Sequence, residues 1–426
     1  MTPTFPGYAC AFCDGTRLHL VIDLGRVALA GAFVTPAQFA DEQRYPLRVC
    51  FCEECYAVQV IDKVSASVLF EDYFYFSSSI GTLRDHFTSY AREVTARFLA
   101  PASATVLEFG CNDGVLLRPM ADQGIRTVIG VDPATNVVRT IDDDRVTVIN
   151  DFFTEAVAAQ VRATHGPVDL VMANNVYAHI PDIQGTTRAI RDVLGPDGVF
   201  VFEVHYLGKV VDEMQYDMIY HEHLYYYSLL SAIAHFARYD MVVFDIKPVP
   251  IHAGSLRFYV CKADSSHAVT IAPAVHELAA AERQSGFDRA STFDAFAARV
   301  AATRVELLRV LAELRAEGSR LAGYGASGRA NTMIQYCGLG TEHLEYVIDD
   351  APAKTGFYTP GSHLSIRSGE VLSTPERPDV LLLFAWSFRE EIMRRNAKFF
   401  RSGGRAIVPL PTVELVPGAT ATDLPA

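Results

Sequence analysis

Basic residues are in short supply in this chain: Lys and Arg number 37 against 50 Asp and Glu, a formal net charge of −13 over 426 residues. That deficit argues against a protein held to nucleic acid by bulk phosphate neutralisation, so any anionic ligand must be gripped by local groups. Long apolar runs are lacking too. Val199-Phe200-Val201-Phe202 is stopped by Glu203, far short of the roughly 20 apolar residues a bilayer span needs, and no membrane partner is expected. Met1 to Gly7 carry neither the basic nor the apolar stretch of a secretory signal, so the expected location is the reducing cytoplasm. Charged residues make up only 20% and hydrophobic ones 50%. This balance excludes a disordered, collagen-like or coiled-coil chain and leaves a globular protein of two to four folding units, at roughly 100 to 200 residues each.

Cysteine is sparse but unevenly placed. Five of the 8 (Cys10, Cys13, Cys50, Cys52 and Cys55) fall in the first 55 residues. Clustering of this kind in a cytosolic protein indicates metal binding rather than disulfides. Cys10-x-x-Cys13 and Cys52-x-x-Cys55 are two knuckles, each placing two sulfurs on one side of an ion, which together close a tetrahedron around one Zn²⁺ per chain. Cys50 is expected to be a neighbouring strand residue. Four thiolates leave no open coordination position, so the zinc is structural and holds together a unit too small for its own core.

From Thr105 onward apolar strands alternate with helical stretches, at Thr105 to Phe109, Thr127 to Val131, Arg145 to Ile149, Val168 to Ala173 and Val199 to Val204. Such alternation calls for a mostly parallel sheet flanked by helices. A long helix is expected from Thr292 to about Glu317, opened by a capping box of Ser291 and Asp294 and closed by Gly318. A second glycine-turn α/β unit starts at Arg320, with strands at Leu344 to Ile348, Val380 to Phe384 and Arg405 to Pro409, which raises the prospect of an ancient duplication. The expected domains are 1–62 (zinc-binding), 63–264 (cofactor-binding), 265–319 (a helical connector) and 320–426 (Rossmann-like).

The first α/β unit opens with Glu108-Phe109-Gly110-Cys111-Asn112-Asp113-Gly114. A carboxylate before the first glycine would repel a dinucleotide pyrophosphate. It suits a cationic amino acid, and the ligand that fits is S-adenosylmethionine (SAM). Asp132, 22 positions after Gly110, ends the next strand, where a carboxylate accepts ribose hydroxyls. Asp151 and Phe152 are placed to meet the adenine amine and ring, and Asn174 follows the fourth strand. In this order, Glu108, Gly110, Asn112, Gly114, Asp132, Asp151, Phe152 and Asn174 outline the cofactor site of a class I methyltransferase. A Rossmann-like fold binding NAD would leave Glu108 unexplained.

Polar groups suited to proton transfer crowd the stretch from Asn174 to His223. Asn174, Asn175 and His179 follow the fourth strand, and Glu203 and His205 end the fifth. Tyr220-His221-Glu222-His223-Leu224-Tyr225-Tyr226-Tyr227 then gathers two imidazoles, a carboxylate and four phenols. Any one of these taken alone reads as an ordinary amphipathic core residue. As a set they match methylation at carbon, which needs a proton removed next to a carbonyl and the enolate oxygen stabilised. Chelation of a second metal by His-x-His is the weaker functional reading, since no other ligand motif accompanies it.

With these residues in view, the chain resembles the three-domain, zinc-containing C-methyltransferases of nucleotide-linked keto-deoxysugars. The likeness spans nearly the whole sequence. It rests on the paired knuckles followed by Val58-Gln59, Tyr73-Phe74-Tyr75-Phe76-Ser77-Ser78, the Glu108 to Gly114 loop, Asn174 to Asp182, and Tyr220-His221-Glu222-His223. It extends through His252-Ala253-Gly254-Ser255-Leu256-Arg257, Gly323-Tyr324-Gly325-Ala326, Asn331-Thr332, Lys354-x-Gly356 and Tyr358-Thr359-Pro360-Gly361. The resemblance implies catalytic roles for Tyr220, Glu222 and His223, with Tyr75, Asn175 and His179 around the sugar. His223 is the better-matched base, because an imidazole titrates near neutrality.

The substrate side is expected to draw on Ser78, Arg257, Arg329, Lys354 and Tyr358; either Arg329 or Lys354 helps hold the diphosphate, or the C-terminal unit is only a structural remnant of a nucleotide-binding fold that closes the cleft. Arg329 stands where the family has lysine, and it binds phosphate as a planar fork. Ala253 replaces a family glycine, a harmless change if its φ is negative. The other reading of the chemistry is an O- or N-methyltransferase on a small polar acceptor. A monomer or weak homo-oligomer is expected.

Overall fold

The computed structural model describes residues 5, 7–65, 68–69, 78, 81–251 and 253–417. Tyr75 and His252 lie outside them. The N-terminal unit is an antiparallel sheet of β1 (Leu18–Ala28), β2 (Arg44–Cys52) and β3 (Val58–Val60). Its register sets Leu18 opposite Cys52 and Gln59 opposite Cys50, so the second knuckle sits at the turn from β2 to β3.

The middle sheet begins with β4 (Thr105–Phe109), β5 (Thr127–Val131), β6 (Val146–Ile149), β7 (Val168–Asn174) and β8 (Leu194–His205), which pair in parallel. All five residues of β4 are buried, which explains why the strand reads as a continuous run rather than an alternation. The expected strands are found here, β8 starting five residues before the expected Val199. Next, the short β9 (Tyr225–Tyr226) leaves this unit and pairs with β3, adding a fourth strand to the zinc-side sheet. Position 62 therefore does not close the first sheet. The chain returns as the antiparallel hairpin of β10 (Met241–Val249) and β11 (Ser255–Lys262), giving the order β10-β11-β8-β7-β4-β5-β6. Chain order reverses between β4 and β7, and doubly wound sheets bind ligands in the crevice beyond that point.

Helix Pro273–Gln284 and the long helix Ala290–Ala316 lead to the third sheet. The long helix lacks the expected capping box. Its N-cap is Arg289 with no side-chain cap bond, and Asp294 instead pairs with His19 of β1 at 2.7 Å. Its buried stripe is Phe293, Phe296, Val300, Leu307, Leu311 and Leu314, and Gly318 follows it at φ +85°.

The third sheet contains β12 (Leu321–Tyr324), β13 (Val347–Ile348), β14 (Ile366–Arg367), β15 (Val380–Leu383), β16 (Arg405–Val408) and β17 (Glu414–Val416). Its order is β14-β13-β12-β15-β16-β17, parallel except for β17. One buried apolar cluster runs from Phe12 and Phe51 through Phe202 and Tyr227 to Leu382, so the three sheets share a core. No helix among the described residues is long and apolar enough to cross a membrane.

Candidate active site

The four knuckle sulfurs converge. Cys10, Cys13, Cys52 and Cys55 present ligand atoms within 4.8 Å of one another, with Sγ–Sγ distances of 3.5 Å (Cys10–Cys55) and 3.7 Å (Cys13–Cys52). Four sulfurs at about 2.3 Å from one zinc stand roughly 3.8 Å apart, so the set fits a closed tetrahedral ion. Gln59 Nε2 donates to Cys10 Sγ at 3.1 Å and the Phe12 amide at 3.4 Å, an arrangement suited to thiolate. Cys50 lies outside the group, in β2. No other set of three metal-ligating side chains occurs among the described residues, so the chelating reading of His221 and His223 has no support.

At the β4–β7 switch point the backbone is shaped by close approach. Gly110 has φ +66°, and a Cβ there would come within 2.5 Å of Val176 Cγ2; Gly114 has φ +75°. Glu108 is buried and accepts from Asn174 Nδ2 at 3.0 Å through Oε1. Its Oε2, Asp113 Oδ1 and Asn174 Oδ1 are buried acceptors without a hydrogen-bond partner among the described residues. Burial, with Asp132, Asp113 and Glu203 nearby, pushes the Glu108 carboxyl up to about 8. Orphaned acceptors around an uncompensated buried acid fit the ammonium of SAM. Asp132 Oδ2 accepts the Asn112 amide and Oδ1 the Ala134 amide, both at 2.9 Å, so this carboxylate ties the glycine loop to the end of β5. Asp151 Oδ1 accepts the Phe152 amide at 2.7 Å. Phe152 is exposed, whereas Phe153 is stacked on Phe109 in the core.

The chemistry-bearing cluster lies past the same edge. His223 Nδ1 is 2.8 Å from the Met218 carbonyl, which can only accept, so Nδ1 carries the hydrogen. Nε2 is then the lone-pair nitrogen, and Tyr220 OH donates to it at 2.7 Å. His179 packs edge-on to His223, ring centroids 4.9 Å apart, and burial lowers its pKa to about 4, keeping it neutral. Asn175, at φ +56°, is turned out of β7 with its amide donating to the Glu203 carbonyl at 2.8 Å. Glu222 is pushed up to about 7 by burial and lies against the zinc-side loop, where a Cβ on Gly31 would be 3.5 Å from its Oε1. From the third unit, Gly328 approaches Tyr220: a Cβ there would be 3.6 Å from both Tyr220 Cζ and Ala30 Cβ. All three units thus meet around Tyr220, Glu222 and His223.

The residues expected on the substrate side are more dispersed. Arg257 is buried, paired with Glu203 and Glu93, and lies 3.6 Å over the Tyr90 ring, which replaces the expected ligand contact with an internal one. Arg329 forks onto Asp217, Nε to Oδ2 at 2.8 Å and Nη2 to Oδ1 at 3.1 Å. Lys354 Nζ donates to the Ala326 carbonyl at 2.7 Å and to Asp349 at 3.1 Å. Tyr358 pairs with Val34 and packs against Phe39, at the seam with the zinc unit. The Ser78 amide donates to Asp113 Oδ2 at 3.0 Å, placing Ser78 at the cofactor loop. Ala253 has φ +63°, so the harmless-change condition is not met and the alanine carries left-handed strain.

Comparison with known proteins accounts for these three units in order. Residues 10–70 match a zinc-binding domain family, 83–246 a methyltransferase domain family, and 250–411 the C-methyltransferase C-terminal domain family. Over 408 residues the chain is 32% identical to the C-methyltransferase NovU of Streptomyces niveus, covering 96% of each protein. The chain belongs to this family of zinc-containing C-methyltransferases. A ubiquinone biosynthesis O-methyltransferase of Methylobacterium sp. (strain 4-46) is 34% identical over 101 residues, 23% of this chain and 40% of that one. Among solved structures, magnesium protoporphyrin IX methyltransferase of Synechocystis PCC 6803 superposes with a TM-score of 0.32 and 14% identity, covering 42% of this chain and 79% of the other.

This SAM-dependent C-methyltransferase draws on residues that reading the sequence did not single out. Asp113, quoted only as part of the glycine loop, contributes one of the orphaned acceptors. Its place between Asn112 and Gly114 was the available signal. Asp217 had none, because its partners Arg329 and Trp386 lie 112 and 169 positions away.

Proposed function

We propose that the enzyme methylates carbon in a nucleotide-linked keto-deoxysugar, at C3 of an NDP-4-keto-6-deoxyhexose, within deoxysugar biosynthesis. The observation that carries this reading is the His223–Tyr220 pair with its fixed tautomer. Transfer to a hydroxyl or amine needs at most one base, whereas transfer to carbon needs a base and a group that stabilises an enolate. His223 supplies the base at Nε2, with the Tyr220 hydroxyl placed to relay the proton. The C–H bond next to the ketone breaks, its electron pair moves into the enolate, and the proton ends on Nε2. Neutral His179 and the side-chain amide of Asn175 are suited to donate hydrogen bonds to the enolate oxygen. Glu222, ionised above about pH 7, steadies the imidazolium as it forms. Glu108, Asp113 and Asn174 hold the SAM ammonium and Asp132 the ribose, while SAM when bound supplies the electrophilic methyl group.

A test is incubation with ¹³C-methyl SAM and a panel of dTDP-, GDP- and CDP-linked 4-keto-6-deoxysugars. The expected product shows the label bonded to carbon. A label on oxygen or nitrogen establishes the O- or N-methyltransferase instead.

A further inference from the structure

The groups that fix His223 in its tautomer trace back to the C-terminal unit. The Met218 carbonyl that receives His223 Nδ1–H belongs to a single 3-10 turn, Tyr216–Met218. Four contacts from the third unit anchor that turn and Ile219 after it. Asp217, fully buried, accepts the Arg329 fork and also Trp386 Nε1–H at 2.9 Å. Thr332 Oγ1 donates to the Ile219 carbonyl at 2.9 Å, and Tyr216 OH meets Cys337 Sγ at 3.6 Å. Arg329, Thr332 and Cys337 lie on one helix, Gly328–Cys337. The same helix reaches the zinc unit through Gln335, which accepts from the Ala28 amide at 2.7 Å, and through Asn331, which donates to the Ala30 carbonyl.

We propose that Asp217, held by Arg329 and Trp386, is the linchpin through which the C-terminal unit sets the tautomer and orientation of His223, making Arg329 a positioning residue rather than a phosphate ligand. Asp217 precedes Met218, so rotation of the turn that carries the carboxylate also rotates the carbonyl that carries His223. A buried carboxylate accepting three N–H bonds cannot rotate without stranding itself or its donors, and the turn is fixed for that reason. Removing the fork frees the Met218 carbonyl to tilt. His223 then populates the other tautomer, with its hydrogen on Nε2, and that nitrogen can no longer accept from Tyr220 or take up the substrate's proton. The kinetic side of this proposal rests on the reading of His223 as base; the tautomer does not.

The test uses the full-length zinc enzyme as wild type, Arg329→Lys, Arg329→Met, Asp217→Asn and Trp386→Phe. In each, the ¹⁵N shifts of the histidine rings report the tautomer of His223, located by its loss in His223→Asn. The wild type should show hydrogen on Nδ1, and Arg329→Met and Asp217→Asn a mixture. Arg329→Lys, which keeps a charged donor to Asp217, should recover most of the wild-type signal, and Trp386→Phe should fall between. In turnover with SAM and the keto-sugar nucleotide, Arg329→Met should lower kcat at least tenfold while KM for the nucleotide sugar stays within twofold. Two results overturn the proposal: an unchanged tautomer in both Arg329→Met and Asp217→Asn, or a raised KM at unchanged kcat, which makes Arg329 the phosphate ligand. If Arg329→Met and Asp217→Asn do not fold, Trp386→Phe decides, since it removes one hydrogen bond and keeps a ring; a wild-type tautomer there overturns the proposal. A mixed tautomer with unchanged kcat would instead count against His223 as the base, leaving the coupling intact.

Discussion

The two parallel sheets of this chain carry the same turn and use it for opposite ends. In the middle unit, Asp132 accepts the amide of Asn112 from the glycine loop through one oxygen, and the amide two residues ahead, Ala134, through the other. In the C-terminal unit, Asp349 repeats the pattern with the loop amide of Ala326 and with Ala351. The difference lies in what surrounds that turn. Two residues before Gly110 stands Glu108 with an orphaned oxygen; two residues before Gly325 stands Gly323, whose missing Cβ leaves room for the Phe384 ring, 2.4 Å from where that Cβ would be. Asp349 is covered by Lys354, whereas Asp132 has no such ion pair among the described residues. One turn thus stands beside acceptors left unfilled among the described residues, and the other is framework, where a ring and an ammonium fill the space. The shared pattern is what a duplication would leave behind.

Substitutions that respect this contrast should behave oppositely in the two units. Glu108→Gln should weaken SAM binding by roughly 100-fold in calorimetry, as expected when a buried charge partner of the ammonium is lost. Asp349→Asn should leave SAM affinity within twofold and lower Tm. Comparable losses of SAM affinity in both would erase the distinction. Glu108 also carries a pH signature. Its pKa is raised in the ligand-free fold, so its contribution favours folding at low pH and is lost as pH rises from about 4.5 towards 8. Ligand-free Glu108→Gln should therefore melt above wild type at pH 8.5, and an equal or lower Tm would contradict the unfilled-acceptor account.

A smaller effect, roughly tenfold, concerns Glu222, whose carboxyl is raised to about 7. The profile of kcat/KM should fall below pH 7 in the wild type, and Glu222→Gln should be slower with that limb moved to lower pH. A limb retained at pH 7 in Glu222→Gln assigns it to another group. Lys354→Met should cost about 1–2 kcal/mol of stability in denaturant unfolding through the uncovered Asp349, with SAM binding unchanged. Least of all, Ala253→Gly should stabilise by up to about 1 kcal/mol by relieving φ +63°; destabilisation would show that the alanine side chain is wanted there.

The parts legible in the sequence were those fixed locally. Strands such as Thr105–Phe109 and Thr127–Val131 are buried on both faces, so their apolar runs mark them to the residue. The knuckles are local because each pair of sulfurs must reach one ion. What was hidden depends on partners far along the chain. Ser291 and Asp294 have capping-box spacing, yet Asp294 is drawn to His19, 275 positions away. Tyr225 and Tyr226 looked like part of a phenol-rich site but pair with β3. Arg257, Arg329 and Lys354 looked available to the substrate because a sequence does not show that Glu203, Asp217 and Asp349 already hold them.

The central claim is that His223 takes a proton from carbon. Its most direct test is exchange of the C3 hydrogen of a 4-keto-6-deoxysugar nucleotide with solvent deuterium, followed by NMR for wild type and His223→Asn. The account predicts enzyme-dependent exchange in the wild type and a rate lower by roughly 10²–10⁴ in His223→Asn. Exchange at the wild-type rate in His223→Asn would place the base elsewhere and contradict the mechanism.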